Sequence, residues 1–290
     1  MRVLVIGCNG QVGHCLVQQL TGRVELLAVD RAELDITNQS EVAALVSEFK
    51  PSFIINAAAH TAVDKAEEEE ALSYAVNRDG PMFLAESAAR VGATLMHIST
   101  DYVFPGSKDG IYSEDDATGP LGVYGKSKLA GELAVAEKTD KFIILRTAWV
   151  FGEHGHNFVK TMLRLGKDRD ALNIVGDQYG GPTYAGHIAG ALISMMNQLS
   201  TDGDSSLYGI YHFSGAPHVS WCEFAESIFQ EAEKSGLLEA PKVTSITTDM
   251  YPTPAARPAN SKMDCDKIES AFNIKPSDWR LALKNINEYV

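Results

Sequence analysis

Short apolar runs alternate with longer segments of helical period along the first half of the chain. Arg2–Ile6 reads as a strand, and Gln11–Leu20 as a helix carrying Val12, Leu16 and Leu20 on one face. The pattern then predicts a strand over 24–29, a helix over 40–49 and a third strand over Phe53–Asn56. A long helical stretch covers 71–91, ended by Gly92, and strands follow over 94–99 and Phe142–Thr147, on either side of a helix over 125–138. Strands separated by helices of ten or more residues imply crossover connections and a parallel sheet. Such a sheet is covered on both faces, which is why its strands are apolar throughout and do not alternate.

After about residue 150 the rhythm loosens. Gly, Pro and Tyr crowd residues 177–182, a helix is predicted over 185–197, a strand over 208–214 and an amphipathic helix over 221–235. The polar tract 200–206 reads as a surface loop, and the Pro-rich stretch 251–258 as extended or looped. The expected fold class is therefore α/β: a doubly wound parallel sheet carrying a smaller, less regular C-terminal α/β domain.

Composition narrows the function classes. The 290 residues include 25 Lys or Arg and 38 Asp or Glu, a net charge of −13, which argues against nucleic-acid binding. No apolar run approaches the roughly 20 residues that span a bilayer, and no signal peptide is expected. Cys8, Cys15, Cys222 and Cys265 show neither CxxC pairing nor zinc spacing, as suits reduced thiols in a cytoplasmic protein.

Gly7, Gly10 and Gly13 form a GxxGxxG between the first strand and the first helix. Glycines there let the backbone turn tightly towards a pyrophosphate, whose charge is met by N–H groups of Gly10, Gln11 and Val12 at the helix start. Asp30 ends the second strand where an acid would bind an adenosine ribose, the lesser alternative being a helix or turn cap. Arg31 beside it suits a 2′-phosphate, so NADH and NADPH both stay open, with dual use expected. Asp35 and Ile36 are softer candidates for flanking the adenine.

Tyr124 and Lys128 form a YxxxK, placing both on one face of a helix. An adjacent ammonium is expected to lower the tyrosine pKa from about 10 and so suit it to general-acid work on a carbonyl oxygen. Thr100 sits just past a strand 24 residues upstream of Tyr124, where its hydroxyl would meet the same oxygen; Ser99 competes for that role.

The segments 56–67 (NAAAHTAVDKAE), 99–104 (STDYVF), 123–132 (VYGKSKLAGE), 146–150 (RTAWV), 177–183 (DQYGGPT) and 256–261 (ARPANS) resemble the dTDP-4-dehydrorhamnose reductase family of extended short-chain dehydrogenases/reductases. The resemblance spans essentially the whole chain. It implies a Rossmann-type fold and NAD(P)H-dependent reduction of the C4 ketone of dTDP-6-deoxy-L-lyxo-4-hexulose to dTDP-L-rhamnose, a sugar for cell-surface polysaccharides. On this reading residues 1–150, rejoined by about 183–213, hold the dinucleotide, and 151–182 with 214–290 hold the dTDP-4-keto-6-deoxy sugar. Thr100, Tyr124 and Lys128 match the family's catalytic triad, and Ala57, Ala58 and Ala59 should run beside the cofactor. Asp101, Val103, Trp149 and Arg257 join Thr100 and Tyr124 as substrate contacts, Trp149 packing on the deoxysugar.

Arg257 and Lys160 are both candidates for the sugar nucleotide's diphosphate, and both are equally readable as surface charges. Asn77 reads either as a partner of the lysine through water or as a solvent-facing helix residue. His60 reads as structural, and Glu67 to Glu70 as a solvated acidic helix start. Some family members bridge subunits through Mg²⁺ held by glutamates. Cys15 and Gly186 stand at those positions here, so no such bridge and no metal is expected, while a homodimer of another kind stays open. The competing readings are another nucleotide-sugar epimerase or reductase, and a non-catalytic NADP-binding regulatory subunit like that of methionine adenosyltransferase.

Overall fold

The computed structural model describes residues 1–202 and 204–290. Six parallel strands form the central sheet: β1 (Arg2–Ile6), β2 (Glu25–Val29), β3 (Phe53–Asn56), β4 (Thr94–Thr100), β5 (Phe142–Thr147) and β6 (Gly209–His212). Their order is β6-β5-β4-β3-β1-β2, so the chain reverses direction across the sheet between β1 and β3. Ligands of open parallel sheets sit beyond the strand C-termini at such a reversal.

Successive side chains of β1 serve opposite faces. Val3 and Val5 join the core under α1 (Gln11–Leu20) and α6 (Ala185–Asp202), with Leu16, Met96 and Leu192. Leu4 and Ile6 join the opposite core, with Val42 of α2 (Gln39–Phe49) and Leu84 of α3 (Gly80–Val91). Burial on both faces accounts for the unbroken apolar strands. A third core, built on Phe151, Phe224, Ile228 and Trp279, lies among α5 (Phe158–Asp168), α7 (Trp221–Lys234) and the C-terminal segments.

Several predicted elements change shape. The stretch 71–91 is interrupted: a helix at Glu70–Tyr74 passes through a π turn at Ala75–Asp79 before α3 begins. The helix over 125–138 starts earlier, as α4 (Val123–Lys138). The polar tract at 200–206 is no simple loop, because α6 runs to Asp202 and Ser205–Leu207 is a 3-10 turn; residue 203 lies outside the described residues. A parallel pair, Ala171–Val175 with Lys242–Ile246, was missed.

Candidate active site

The turn after β1 is built for close approach. Gly7 has φ +77°, and a Cβ there would sit 2.7 Å from the Ala58 amide nitrogen. A Cβ on Gly13 would fall 2.0 Å from the Gly7 carbonyl oxygen, so α1 seats directly on the turn. Gly10 is the N-cap of α1, with no side-chain cap.

A cavity of about 430 Å³ opens at this turn. Gly7, Gly10, Asp30 and Arg31 line it, together with Asp35, Ile36 and the run Ala57, Ala58 and Ala59. Gln11, Val12 and Gly13 do not. Val12 faces the core, Gly13 packs on Gly7, and Gln11 Oε1 accepts from Asn157 Nδ2 at 3.1 Å. Tyr124 and Lys128 are not among its walls either. Asp30 does cap its turn, through Oδ1 accepting from the Arg31 N–H at 2.7 Å, while also facing the cleft. Thr37 donates twice to Asp35 and holds its carboxyl below the usual range.

Leu72, Ala75 and Val76 also line the cavity and were missed, since only the path of the interrupted helix brings them there. Also missed was the loop over the glycine turn. His154 pairs through Nε2 with the Asn9 carbonyl oxygen at 2.8 Å and stacks on His14, and Asn157 Nδ2 ties Gln11 to the Gly152 carbonyl.

The YxxxK helix is fixed from several sides. Glu67 Oε1 accepts from the Val123 N–H at 2.9 Å, capping α4. The acidic segment 67–70 is therefore not simply solvated; Glu69 also approaches His60 Nε2 at 3.2 Å. A Cβ on Gly125 would lie 2.2 Å from the Tyr102 carbonyl oxygen, and one on Gly131 2.0 Å from that of Asn77. These two glycines let α4 press against the 3-10 turn Asp101–Val103 and against the π turn. Asn77 is fully buried, exchanging hydrogen bonds with the His60 backbone and donating to Ser127 Oγ at 3.0 Å, which removes the solvent-facing reading.

Thr100 ends β4 and lies near Tyr124, at the start of α4. The Thr100 hydroxyl donates to Asp101 Oδ1 at 2.9 Å and accepts from the Tyr102 N–H. Burial pushes the Tyr124 phenol up to about 12, the Thr100 hydroxyl opposing the rise and the Asp101 charge adding to it. The expected lowering by Lys128 does not occur. Its Nζ turns to the other side, donating to the Ile98 carbonyl oxygen at 2.7 Å and lying 3.3 Å from His97 Nε2. Burial brings Lys128 down to about 8, against the pull of Glu132. Ser99, on the opposite face of β4 from Thr100, is committed to Glu132.

Asp101 is buried and accepts from both Thr100 and Ser261, with burial raising its carboxyl to about 6. The Val103 side chain is fully buried in a cluster with Phe104, Tyr112 and Met263. Trp149 has φ +49° and stacks on Trp221 with ring centroids 3.5 Å apart, so protein already covers one face of its indole. Arg257 pairs with Asp64 at 2.7 Å, and Lys160 Nζ donates to the Glu153 carbonyl. Cys15 is buried, and a Cβ on Gly186 would strike the Tyr184 ring. Among the described residues no three His, Cys, Asp or Glu side chains gather as a metal site, and no helix is long and apolar enough to cross a membrane.

Known proteins match this architecture from end to end. The family model described as "RmlD substrate binding domain" covers residues 1–290. The chain is 53% identical over 291 residues to a dTDP-4-dehydrorhamnose reductase of Aggregatibacter actinomycetemcomitans, covering 99% of each. A crystal structure of the Clostridium acetobutylicum dTDP-4-dehydrorhamnose reductase superposes with a TM-score of 0.91 at 40% identity, over 98% of both chains. That of the Bacillus anthracis enzyme, in complex with NADP, gives 0.91 at 38% identity, over 100% of this chain and 99% of that one.

Proposed function

The chain belongs to the dTDP-4-dehydrorhamnose reductase family, and from that premise we propose that it reduces the C4 ketone of dTDP-6-deoxy-L-lyxo-4-hexulose to dTDP-L-rhamnose. The reductant is NADPH or NADH, and the Tyr124 phenol is the proton donor. The observation that carries this reading is the placing of the Thr100 hydroxyl, at the C-terminal end of β4, beside the buried Tyr124 phenol of the YxxxK helix, close enough to oppose the rise in that phenol's pKa. It is reinforced by a cleft formed at a turn where a Cβ on Gly7 or Gly13 would strike neighbouring backbone, so that only glycine lets the turn close there.

The dinucleotide fits these residues. Gly7 and Gly10 leave room for a pyrophosphate, Asp30 or Arg31 meets the adenosine ribose or its 2′-phosphate, and Ala57 to Ala59 flank the path towards Lys128. When bound, the reduced nicotinamide supplies the hydride. Lys128 holds the nicotinamide ribose and lends positive charge. Tyr124 gives its proton to the ketone oxygen, and Thr100 turns its hydroxyl from Asp101 to the same oxygen. Residues 151–182 and 214–290 are assigned to the sugar nucleotide. Trp149 is assigned to the deoxysugar, and Arg257 is shared between Asp64 and the diphosphate.

Oxidation of NADH or NADPH, followed by absorbance, should depend on the dTDP-4-keto sugar and match dTDP-L-rhamnose formed mole for mole. No oxidation with either cofactor refutes the proposal. Arg31→Ala should raise KM for NADPH roughly tenfold, as expected for losing one charge-assisted hydrogen bond, and leave KM for NADH little changed. An equal rise for both cofactors would show that Arg31 only shapes the turn.

A further inference from the structure

Three buried polar side chains run in series from the edge of the cofactor cleft to Lys128. Asn56 ends β3, His97 stands opposite it in register on β4, and Lys128 comes from α4; none is more than 2% exposed. The Ala58 backbone N–H donates to Asn56 Oδ1 at 3.1 Å, which fixes the oxygen end of that carboxamide. The amide nitrogen of Asn56 therefore faces His97 Nδ1, at 3.1 Å, and an NH₂ group only donates. Nδ1 must accept, so the neutral ring carries its hydrogen on Nε2, the atom 3.3 Å from Lys128 Nζ. Burial, and after it the Lys128 charge, keeps His97 far below the usual histidine range, so the ring is neutral.

We propose that His97 is a positioning residue for Lys128, locked by Asn56 as the Nε2–H tautomer and so presenting a donor, not an acceptor, to the lysine nitrogen. A neutral amine accepts that hydrogen while donating to Ile98. An ammonium has three donors and no lone pair, and so meets N–H with N–H. The lock acts with burial against the charged lysine; Glu132, itself paired with Arg146, acts the other way. The ammonium then draws its support from the ribose hydroxyls that the proposed function places beside it. Ala58 is both a wall of the cofactor cleft and the first link of the lock.

The consequence for catalysis rests on the proposed function, whereas the tautomer does not, and NMR of isotopically labelled histidine and lysine in the whole protein separates the two. His97 should show a bare Nδ1 and a protonated Nε2 across the pH range in which Lys128 titrates; an Nδ1–H ring overturns the assignment. His97→Phe removes the donor and should raise the Lys128 midpoint by about one pH unit, the tenfold equivalent of one hydrogen bond. A fall, or no change, overturns the proposal. Asn56→Asp offers a carboxylate oxygen to Nδ1 and should switch the ring to Nδ1–H, again with an upward Lys128 shift; an unswitched ring is equally fatal. Expected spectra from a protein that never reduces the keto sugar would refute the proposed function alone.

Discussion

Tyr124→Phe should lower kcat by about 10² to 10⁴-fold, the usual worth of a positioned general acid, and leave NADPH binding nearly intact. The phenol is buried, its ring meets Tyr102 edge-on at 5.3 Å, and phenylalanine fills the same space, so the fold should tolerate the change. Loss confined to kcat is the mark of a group that acts in the transition state. The pH dependence follows from the same burial. With its pKa pushed up to about 12, Tyr124 stays protonated, in the donor form, through neutral and mildly alkaline pH. Lys128, brought down to about 8, loses its charge as pH rises through that value, so the wild-type rate should fall there first. Steady-state kinetics across pH on both proteins tests this; a variant within about tenfold of wild type would remove Tyr124 as proton donor.

The parts of this molecule that could be read from the chain are those set by local periodicity. Val3 to Ile6 announce a strand covered on both faces, and Tyr124 with Lys128 announce one helical face, because both patterns repeat along the backbone. Spacing says where Cβ atoms lie and not where long side chains end. Lys128 shares a face with Tyr124, yet its amine reaches back to Ile98 and His97, and the expected lowering of the phenol pKa fails for that reason. Val103 is close in sequence to Thr100 and Asp101, yet the 3-10 turn sends its side chain into the core, which its position alone does not announce. Contacts made across long sequence distances left no local trace. Glu67 capping Val123, Asn56 facing His97, and the pairing of Ala171–Val175 with Lys242–Ile246 all depend on topology. The π turn at Ala75–Asp79 is of the same kind: its reward is the burial of Asn77 against His60 and Ser127.

Glu132→Ala should cost about 3–5 kcal/mol of folding stability, the usual penalty for stranding one member of a buried ion pair. Arg146 on β5 gives Nη2 to Glu132 Oε2 at 2.7 Å and Nε to Oε1 at 3.0 Å, with both side chains at most 3% exposed. Ser99, the register partner of Arg146 on β4, donates to the same carboxylate. The substitution would leave a guanidinium buried over the Phe104 ring and a hydroxyl without its acceptor, directly beneath Thr100. Against a typical total stability of about 5–15 kcal/mol, that loss should move the urea midpoint far down. Glu132→Leu combined with Arg146→Met should recover most of it, because no unpaired charge remains and the pair itself contributes little net stability. A Glu132→Ala variant within about 1 kcal/mol of wild type would mean that water reaches Arg146, and the reading of Glu132 and Arg146 as a buried pair would have to be abandoned. The milder Glu132→Gln separates support from electrostatics. Glu132 favours the charged form of Lys128, so its neutralisation should shift the alkaline fall in rate to lower pH even where the fold is retained.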